Sequence, residues 1–175
     1  MNDDTLLIDK FLEGDDTAFE KLIEKYRRMI YGLSYRMLGS AEFAEDVTQQ
    51  VFIKVFQNVS KFKRKSSFKT WIYAITMNEC RATYRKLSKE TEASDDVLPA
   101  DDRDTPEETY TLEESKKILK DALSKLPFKQ KAVVALRINE ELSFKEISRT
   151  MGISVNAAKV NFQHGFNKLK EAIGS

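Results

Sequence analysis

Ser143-Phe144-Lys145-Glu146-Ile147-Ser148-Arg149-Thr150-Met151-Gly152-Ile153-Ser154 places two helix starts and one helix stop within a dozen residues. Ser143 and Glu146 have the spacing of a capping box, in which the serine oxygen takes an orphan amide and the glutamate reaches back to the cap's own N–H. Gly152 supplies a left-handed residue that ends the helix, and Ser154 caps another that runs to about Ile173. Short helix, glycine-containing turn, longer helix is a helix-turn-helix arrangement, although any helical hairpin with a glycine corner shares the spacing.

Working outward, the same helical punctuation recurs. Pro127 opens the preceding helix, which is expected to turn Ala132, Val133, Leu136 and Ile138 inward, and Thr111-Leu112-Glu113-Glu114 has the form of a second capping box. Between Gly39 and Gly152 there is no glycine, and apolar residues recur at three and four rather than two. The N-terminal part reads as four helices. The first uses Leu6, Leu7, Phe11 and Leu12. The second starts near Asp16 or Thr17 and carries Phe19, Leu22, Ile23, Tyr26, Met29, Ile30 and Leu33. Ser40 caps a third with Ala44, Val47, Val51, Val55 and Val59 inside, and Ser67 caps a fourth that runs to about Lys86. The expected fold class is all-α.

Composition bounds what such a chain can do. With 41% hydrophobic and 33% charged residues over 175 positions it has enough apolar side chains for one or two cores. One cysteine and one histidine leave no internal disulfide and too few soft ligands for a structural zinc; no metal, cofactor or catalytic residue is expected. No apolar run exceeds the five residues of Ala132 to Leu136, far short of a membrane span, and the acidic start lacks the parts of a signal peptide, so the expected location is the cytoplasm.

The formal net charge of +1 hides three blocks: residues 1–89 are net +4, residues 90–112 net −8 and residues 113–175 net +5. The acidic strip holds two of the three prolines and hardly any large apolar side chain, so it lacks the burial that offsets the entropy of ordering. The expected organisation is a helical domain over 1–89, a flexible acidic linker over 90–110 and a second helical domain over 111–175. Fully stretched, the linker reaches roughly 80 Å at about 3.4 Å per residue.

Lys61-Phe62-Lys63-Arg64-Lys65-Ser66-Ser67-Phe68-Lys69 holds five cations in nine residues and leads into Trp71 and Tyr73. Cations neutralise phosphates, and flat rings stack unpaired bases at about 1–3 kcal/mol per base, so the loop suits single-stranded nucleic acid. Phe68, Trp71 and Tyr73 also fit a packed core, the reading that Trp71 taken alone favours.

These residues carry a resemblance. Ala44-Glu45-Asp46-Val47-Thr48-Gln49-Gln50-Val51-Phe52-Ile53-Lys54, then Phe62, Phe68-Lys69-Thr70-Trp71-Ile72-Tyr73-Ala74-Ile75, Asn78 and Arg85 are similar to region two of the extracytoplasmic-function sigma factors of bacterial RNA polymerase. Leu126-Pro127-Phe128, Leu136-Arg137 and Leu142 through Lys159 resemble region four. The resemblance implies a non-catalytic subunit that binds core RNA polymerase, directs it to promoter DNA and helps melt the duplex, and is commonly held inactive by an anti-sigma factor. It assigns Glu45, Asp46, Gln49, Gln50 and Lys54 to the polymerase clamp. Lys61, Phe62, Lys63, Arg64, Lys65, Ser66 and Trp71 are assigned to the separated promoter strand, and Asn78, Arg81 and Arg85 to the proximal promoter element. Arg137, Ser154, Asn156, Lys159, Asn161, Gln163 and His164 are assigned to the distal element.

The chain departs from the pattern in places. Gln50 stands where relatives often have glutamate and Ala82 where aspartate is frequent. The stretch Val155 to His164 of the last helix keeps one cation, Lys159, where several arginines are common, leaving Asn156, Asn161 and Gln163 as the side chains able to pair with adenine edges. The rival reading is a stand-alone helix-turn-helix regulator, which has little use for a basic-aromatic loop. No Gly-rich phosphate loop, His-Glu metal motif or serine elbow supports an enzyme.

Overall fold

Small polar side chains set the helix starts. In the computed structural model, which describes residues 2–90 and 110–174, Asn2 caps α1 (Asp3–Leu12), Asp15 caps α2 (Asp16–Leu38) and Ser40 caps α3 (Ala41–Asn58). A single 3-10 turn, Val59–Lys61, leads through the basic loop to α4 (Phe68–Glu90), where Ser67 Oγ accepts the Thr70 amide at 3.1 Å. The C-terminal group is α5 (Tyr110–Ser124), α6 (Phe128–Ile138), α7 (Phe144–Met151) and α8 (Val155–Gly174). Both hydrogen bonds of the Ser143–Glu146 capping box form, at 3.1 and 2.7 Å. Gly152 closes α7 at φ +65°, and Ser154 Oγ accepts from Ala157 N at 3.0 Å to start α8.

The described residues contain eight α-helices and no strand, in line with the expected class. Several borders and faces differ from expectation. α4 continues to Glu90 rather than stopping near Lys86, and in its last turns Ser88 Oγ donates to the Tyr84 carbonyl. α5 starts at Tyr110, which places Thr111 inside the first turn instead of ahead of it. Pro127 sits just outside α6, as its cap. Ile138, the last residue of α6, is exposed rather than inward. In α1 the fully buried apolar residue is Ile8, while Leu6 and Leu12 face outward. The acidic linker lies almost wholly outside the described residues.

α2 is the centre of the packing. Leu22, Tyr26, Ile30, Leu33 and Met37 form its buried stripe, and α1, α3, α4 and α6 all lean on it. One apolar cluster runs without a break from Ile8 through α2, α3 and α4 into Phe128, Ala132, Leu136, Leu142, Ile147 and Met151. The two helical groups thus share a core, with α4 lying against α7 and α2 against α6. A smaller cluster, Ala122, Leu126, Val134 and Leu169, holds α5 to the C-terminal group.

Charges inside this core differ in how they are matched. Asp4 is buried, accepts from Lys25 Nζ at 2.5 Å and from the Tyr26 hydroxyl at 2.6 Å, and so ties α1 to α2. Burial, then the hydrogen bond to Asp4, pushes the Tyr26 phenol up. Lys131 on α6 is buried with no ion pair among the described residues, and desolvation lowers its ammonium from 10.5 to about 8. The cost of burying that charge is fully present below about pH 8 and disappears as pH approaches 10.5.

Two stability measurements test this packing. Lys131→Met is expected to raise the unfolding free energy by about 2 kcal/mol at pH 7, with the gain shrinking as denaturation is repeated from pH 8 upward. At Gly165 an added Cβ would lie 2.8 Å from Val134 Cγ2 and 3.3 Å from the Gln130 carbonyl oxygen. Overpacking of about 1–3 kcal/mol outweighs the roughly 1 kcal/mol that alanine gains in a helix, so Gly165→Ala is expected to lower the urea midpoint at unchanged slope.

Candidate nucleic-acid and partner-docking surfaces

The basic loop is built on an aromatic footing. Phe68, buried at the first position of α4, meets Tyr26 edge-on at 5.4 Å and carries Phe62 and Trp71 on its other side at 5.9 and 5.7 Å. Phe62 and Trp71 touch each other at 5.0 Å and stay half-buried, so the cluster is anchored at one end and open at the other. Above it Lys61, Lys63, Arg64 and Lys65 are exposed and Ser66 is half-buried. Lys61, Lys63 and Lys65 make no ion pair among the described residues, whereas Arg64 is engaged. Its backbone is left-handed at φ +57° and its guanidinium donates to Asp9 of α1. The loop therefore offers three free ammonium groups and one arginine tied down.

Two aromatics of the run, Phe68 and Tyr73, belong to the interior. Tyr73 is fully buried and donates to Glu140 Oε2 at 2.5 Å; burial, then that bond, drives its phenol upward. Lys69 leaves the loop's outer face and donates to the Glu140 carbonyl oxygen at 3.2 Å.

On α3 the valine stripe points inward as expected, and Asp46, Gln49, Gln50 and Lys54 are exposed. Glu45 is half-buried and accepts from Arg27 at 3.0 Å, and Lys54 pairs with Glu79 of α4. Beside them lies a shallow groove of about 400 Å³ between α2 and α3, lined by Ile23, Arg27, Thr48, Phe52 and Ile53 as well as Glu45 and Gln49. Sequence reasoning missed the apolar part of this face. Ile53 and Phe56 lie off the valine stripe and are about half exposed (47% and 56%), a widening of the apolar arc visible in the Phe52-Ile53 doublet.

Of the α4 candidates, Asn78 and Arg85 are exposed, while Arg81 lies over the Phe128 ring at 5.7 Å. On α8, steps of about 100° per residue put Asn156, Lys159 and Gln163 on one exposed face with exposed His164 at its edge. Asn161 points the other way: half-buried, it donates to the Ala157 carbonyl at 2.9 Å and lines a groove of about 740 Å³ together with Arg81 and Arg85. Gln163 donates to Asn167 at 3.2 Å. Ser154 spends its hydroxyl on the cap. Arg137 stacks on Phe144 at 4.7 Å and donates to the Leu142 carbonyl at 2.9 Å, which braces the turn before α7. The structure thus gathers the loop residues and the α3 face, splits the α8 members of the distal set between two sides of that helix, and leaves Arg137 on α6.

Neither the lone thiol nor any acidic cluster adds a reactive centre among the described residues. Cys80 is fully buried against Ser34, and burial pushes its thiol up to about 12. No group of three or more His, Cys, Asp or Glu side chains there is placed to hold a metal, and no described helix is long and apolar enough to cross a membrane.

Comparison with known proteins follows the same division. The Sigma-70 region 2 family matches residues 22–90 and the Sigma-70, region 4 family residues 116–169. ECF RNA polymerase sigma factor SigW of Bacillus subtilis is 29% identical across 92% of this chain and 91% of its own. The ECF RNA polymerase sigma-E factor of Haemophilus influenzae is 29% identical across 89% and 87%. Two solved structures share the fold, each with a TM-score of 0.75. One is the sigma factor RpoE of Bartonella quintana in complex with the anti-sigma factor NepR, 21% identical over 89% of this chain and 96% of its own. The other is CnrH in complex with the cytosolic domain of CnrY, 18% identical over 99% and 98%. With both helical groups matched by sigma regions and relatives aligned along nearly its whole length, the chain belongs to the extracytoplasmic-function sigma factors of bacterial RNA polymerase.

Proposed function

We propose that this sigma factor works as a dissociable, non-catalytic cytoplasmic subunit that recruits core RNA polymerase to a promoter set and stabilises the separated strands. The observation that carries the reading is the loop: three free lysines above a half-open Phe62–Trp71 pair, on the same rigid helical group as the exposed α3 face. A duplex reader gains little from such a loop, which disfavours the stand-alone regulator.

In this scheme the α3 face with Asp46, Gln49, Gln50 and Lys54 docks on the polymerase, and the neighbouring apolar groove with Ile53 adds area to the contact. Extruding a base costs a few kcal/mol, which stacking on the Phe62–Trp71 side of the loop offsets at about 1–3 kcal/mol per base. Lys61, Lys63 and Lys65 hold the phosphates of the same strand. Arg64, committed to Asp9, positions the loop. Asn78, Arg81 and Arg85 face the proximal element, and Asn156, Lys159, Gln163 and His164 approach the distal one as duplex, with the division between domains falling in the acidic linker. Since one solved relative is bound to an anti-sigma factor and the other to the cytosolic domain of a second protein, the chain is proposed to have an anti-sigma partner too.

Transcription in vitro from a promoter library, with core polymerase plus or minus the chain, tests the assignment directly. Replacing Lys63 and Lys65 together with glutamate is expected to reduce open-complex formation about tenfold or more, equivalent to about 1.4 kcal/mol, at near-normal affinity for core polymerase; unchanged opening removes the loop from the melting step. Trp71, the chain's single tryptophan, reports on the same surface. Iodide is expected to quench it better than caesium at low salt, with the difference vanishing near 1 M, where the Debye length is about 3 Å.

A further inference from the structure

α1 lies ahead of the stretch that matches Sigma-70 region 2, which begins at residue 22, yet one of its side chains reaches the basic loop at residue 64. Helical steps of about 100° turn Asp4, Ile8 and Phe11 toward α2 and put Asp9, one residue after Ile8, on a flank of the helix. There, half-buried, Asp9 accepts from the Arg64 guanidinium, its ion-pair partner among the described residues. The helix beneath it is fixed at three points. Asp4 accepts from Lys25 and Tyr26 of α2 at 2.5 and 2.6 Å, Ile8 is fully buried, and Phe11 packs on Phe19 at 4.9 Å. Asp9 therefore stands on a rigid support.

The loop end of the contact has no such support of its own. Arg64 takes a left-handed backbone at φ +57°, a conformation that a residue with a Cβ adopts at a cost. The pair with Asp9 acts at that strained residue, between Lys63 and Lys65. The same helix also steadies the aromatic footing, because the Tyr26 hydroxyl held by Asp4 fixes the ring that meets Phe68, and Phe68 carries Phe62 and Trp71. We propose that Asp9 is a positioning residue for the promoter-strand loop: it holds Arg64 in the left-handed turn and thereby sets where Lys63 and Lys65 stand relative to the open Phe62–Trp71 face. The inference rests on the functional reading above, in which this loop holds the separated strand, and adds to it a helix that the region 2 match does not include.

Charge alone argues for the opposite effect, which makes the role separable. Asp9 is a carboxylate in direct contact with a cation of the loop, well inside the screening length of about 8 Å at physiological salt. As a point charge it repels phosphate, and its removal would strengthen the loop's attraction for DNA. As a positioning residue its removal weakens capture of the strand, because the loop loses the conformation that aligns lysines with rings. The two side chains are 42% and 43% exposed, so the pair contributes little to global stability. It acts on the distribution of conformers in a short surface loop, where a weak bias is enough.

The test uses core RNA polymerase loaded with the full-length chain, on a promoter recovered from the library above, with permanganate reactivity of unpaired thymines as the measure of opening. Asp9→Ala is expected to lower the open fraction about threefold at unchanged affinity for core polymerase. Asp9→Glu is expected to retain opening, and Glu13→Gln, at the exposed carboxylate that ends α1, to leave it unchanged. In an Arg64→Ala background Asp9→Ala is expected to add nothing, since its effect runs through that side chain. Increased or unchanged opening in Asp9→Ala, or a full Asp9 effect without Arg64, overturns the proposal. A second arm places a nitroxide on Lys65→Cys of the free chain, with buried Cys80 left unlabelled. Its spectrum is expected to sharpen about equally with Asp9→Ala and Arg64→Ala but not with Glu13→Gln, at an unchanged thermal transition; an unchanged spectrum overturns the positioning role. This arm contains neither polymerase nor promoter. A chain that opens no promoter overturns the functional reading and the proposal together, whereas opening that ignores Asp9 removes the positioning role alone.

Discussion

Everything in this molecule is arranged around the apolar stripe of α2. Leu22, Tyr26, Ile30, Leu33 and Met37 are each worth about 1.5–3 kcal/mol when removed from water, and no single neighbour covers all of them. α1 covers the first turns, α3 and α4 flank the middle, and α6 approaches from the C-terminal group. A helix that needs four neighbours couples their positions, so the α3 face and the basic loop are held in a fixed relation.

Polar groups inside this frame decide geometry more than stability. Asp4 is fully matched by Lys25 and Tyr26, and Glu140 by Arg36 and Tyr73. Each draws a tyrosine hydroxyl out of an otherwise apolar setting, where an unpaired oxygen is costly. Lys131, with no such match, carries the desolvation cost alone. Buried charge therefore marks where helices are registered against each other: α1 on α2, and the α6–α7 turn on α4.

Surface charge is divided just as clearly. The loop keeps Lys61, Lys63 and Lys65 free of ion pairs among the described residues, while Arg64 is tied to Asp9 and Lys69 to the Glu140 carbonyl, so neighbours in sequence have different partners. On α8 the helical repeat gives Asn156, Lys159 and Gln163 to solvent and Asn161 to the groove facing α4.

Much of this was legible before any coordinates. Capping by Ser40, Ser67, Ser143 and Ser154, the stop at Gly152, the all-helical class and the valine stripe of α3 are local matters, set by residues within four positions of one another. So was the nature of the basic loop, since five cations in nine residues cannot be buried together. The fates of its individual side chains were not: Tyr73 goes inside and Lys69 sideways because Glu140 arrives from 67 and 71 residues away. Nor did periodicity place Ile8 over Leu6 and Leu12, Ile138 outside, or Arg81 against Phe128. Local chemistry determined where each helix begins and which residues are able to face a core. Tertiary structure alone decided which of them do, because burial and ion pairing depend on partners that the chain brings together only when both helical groups fold against each other.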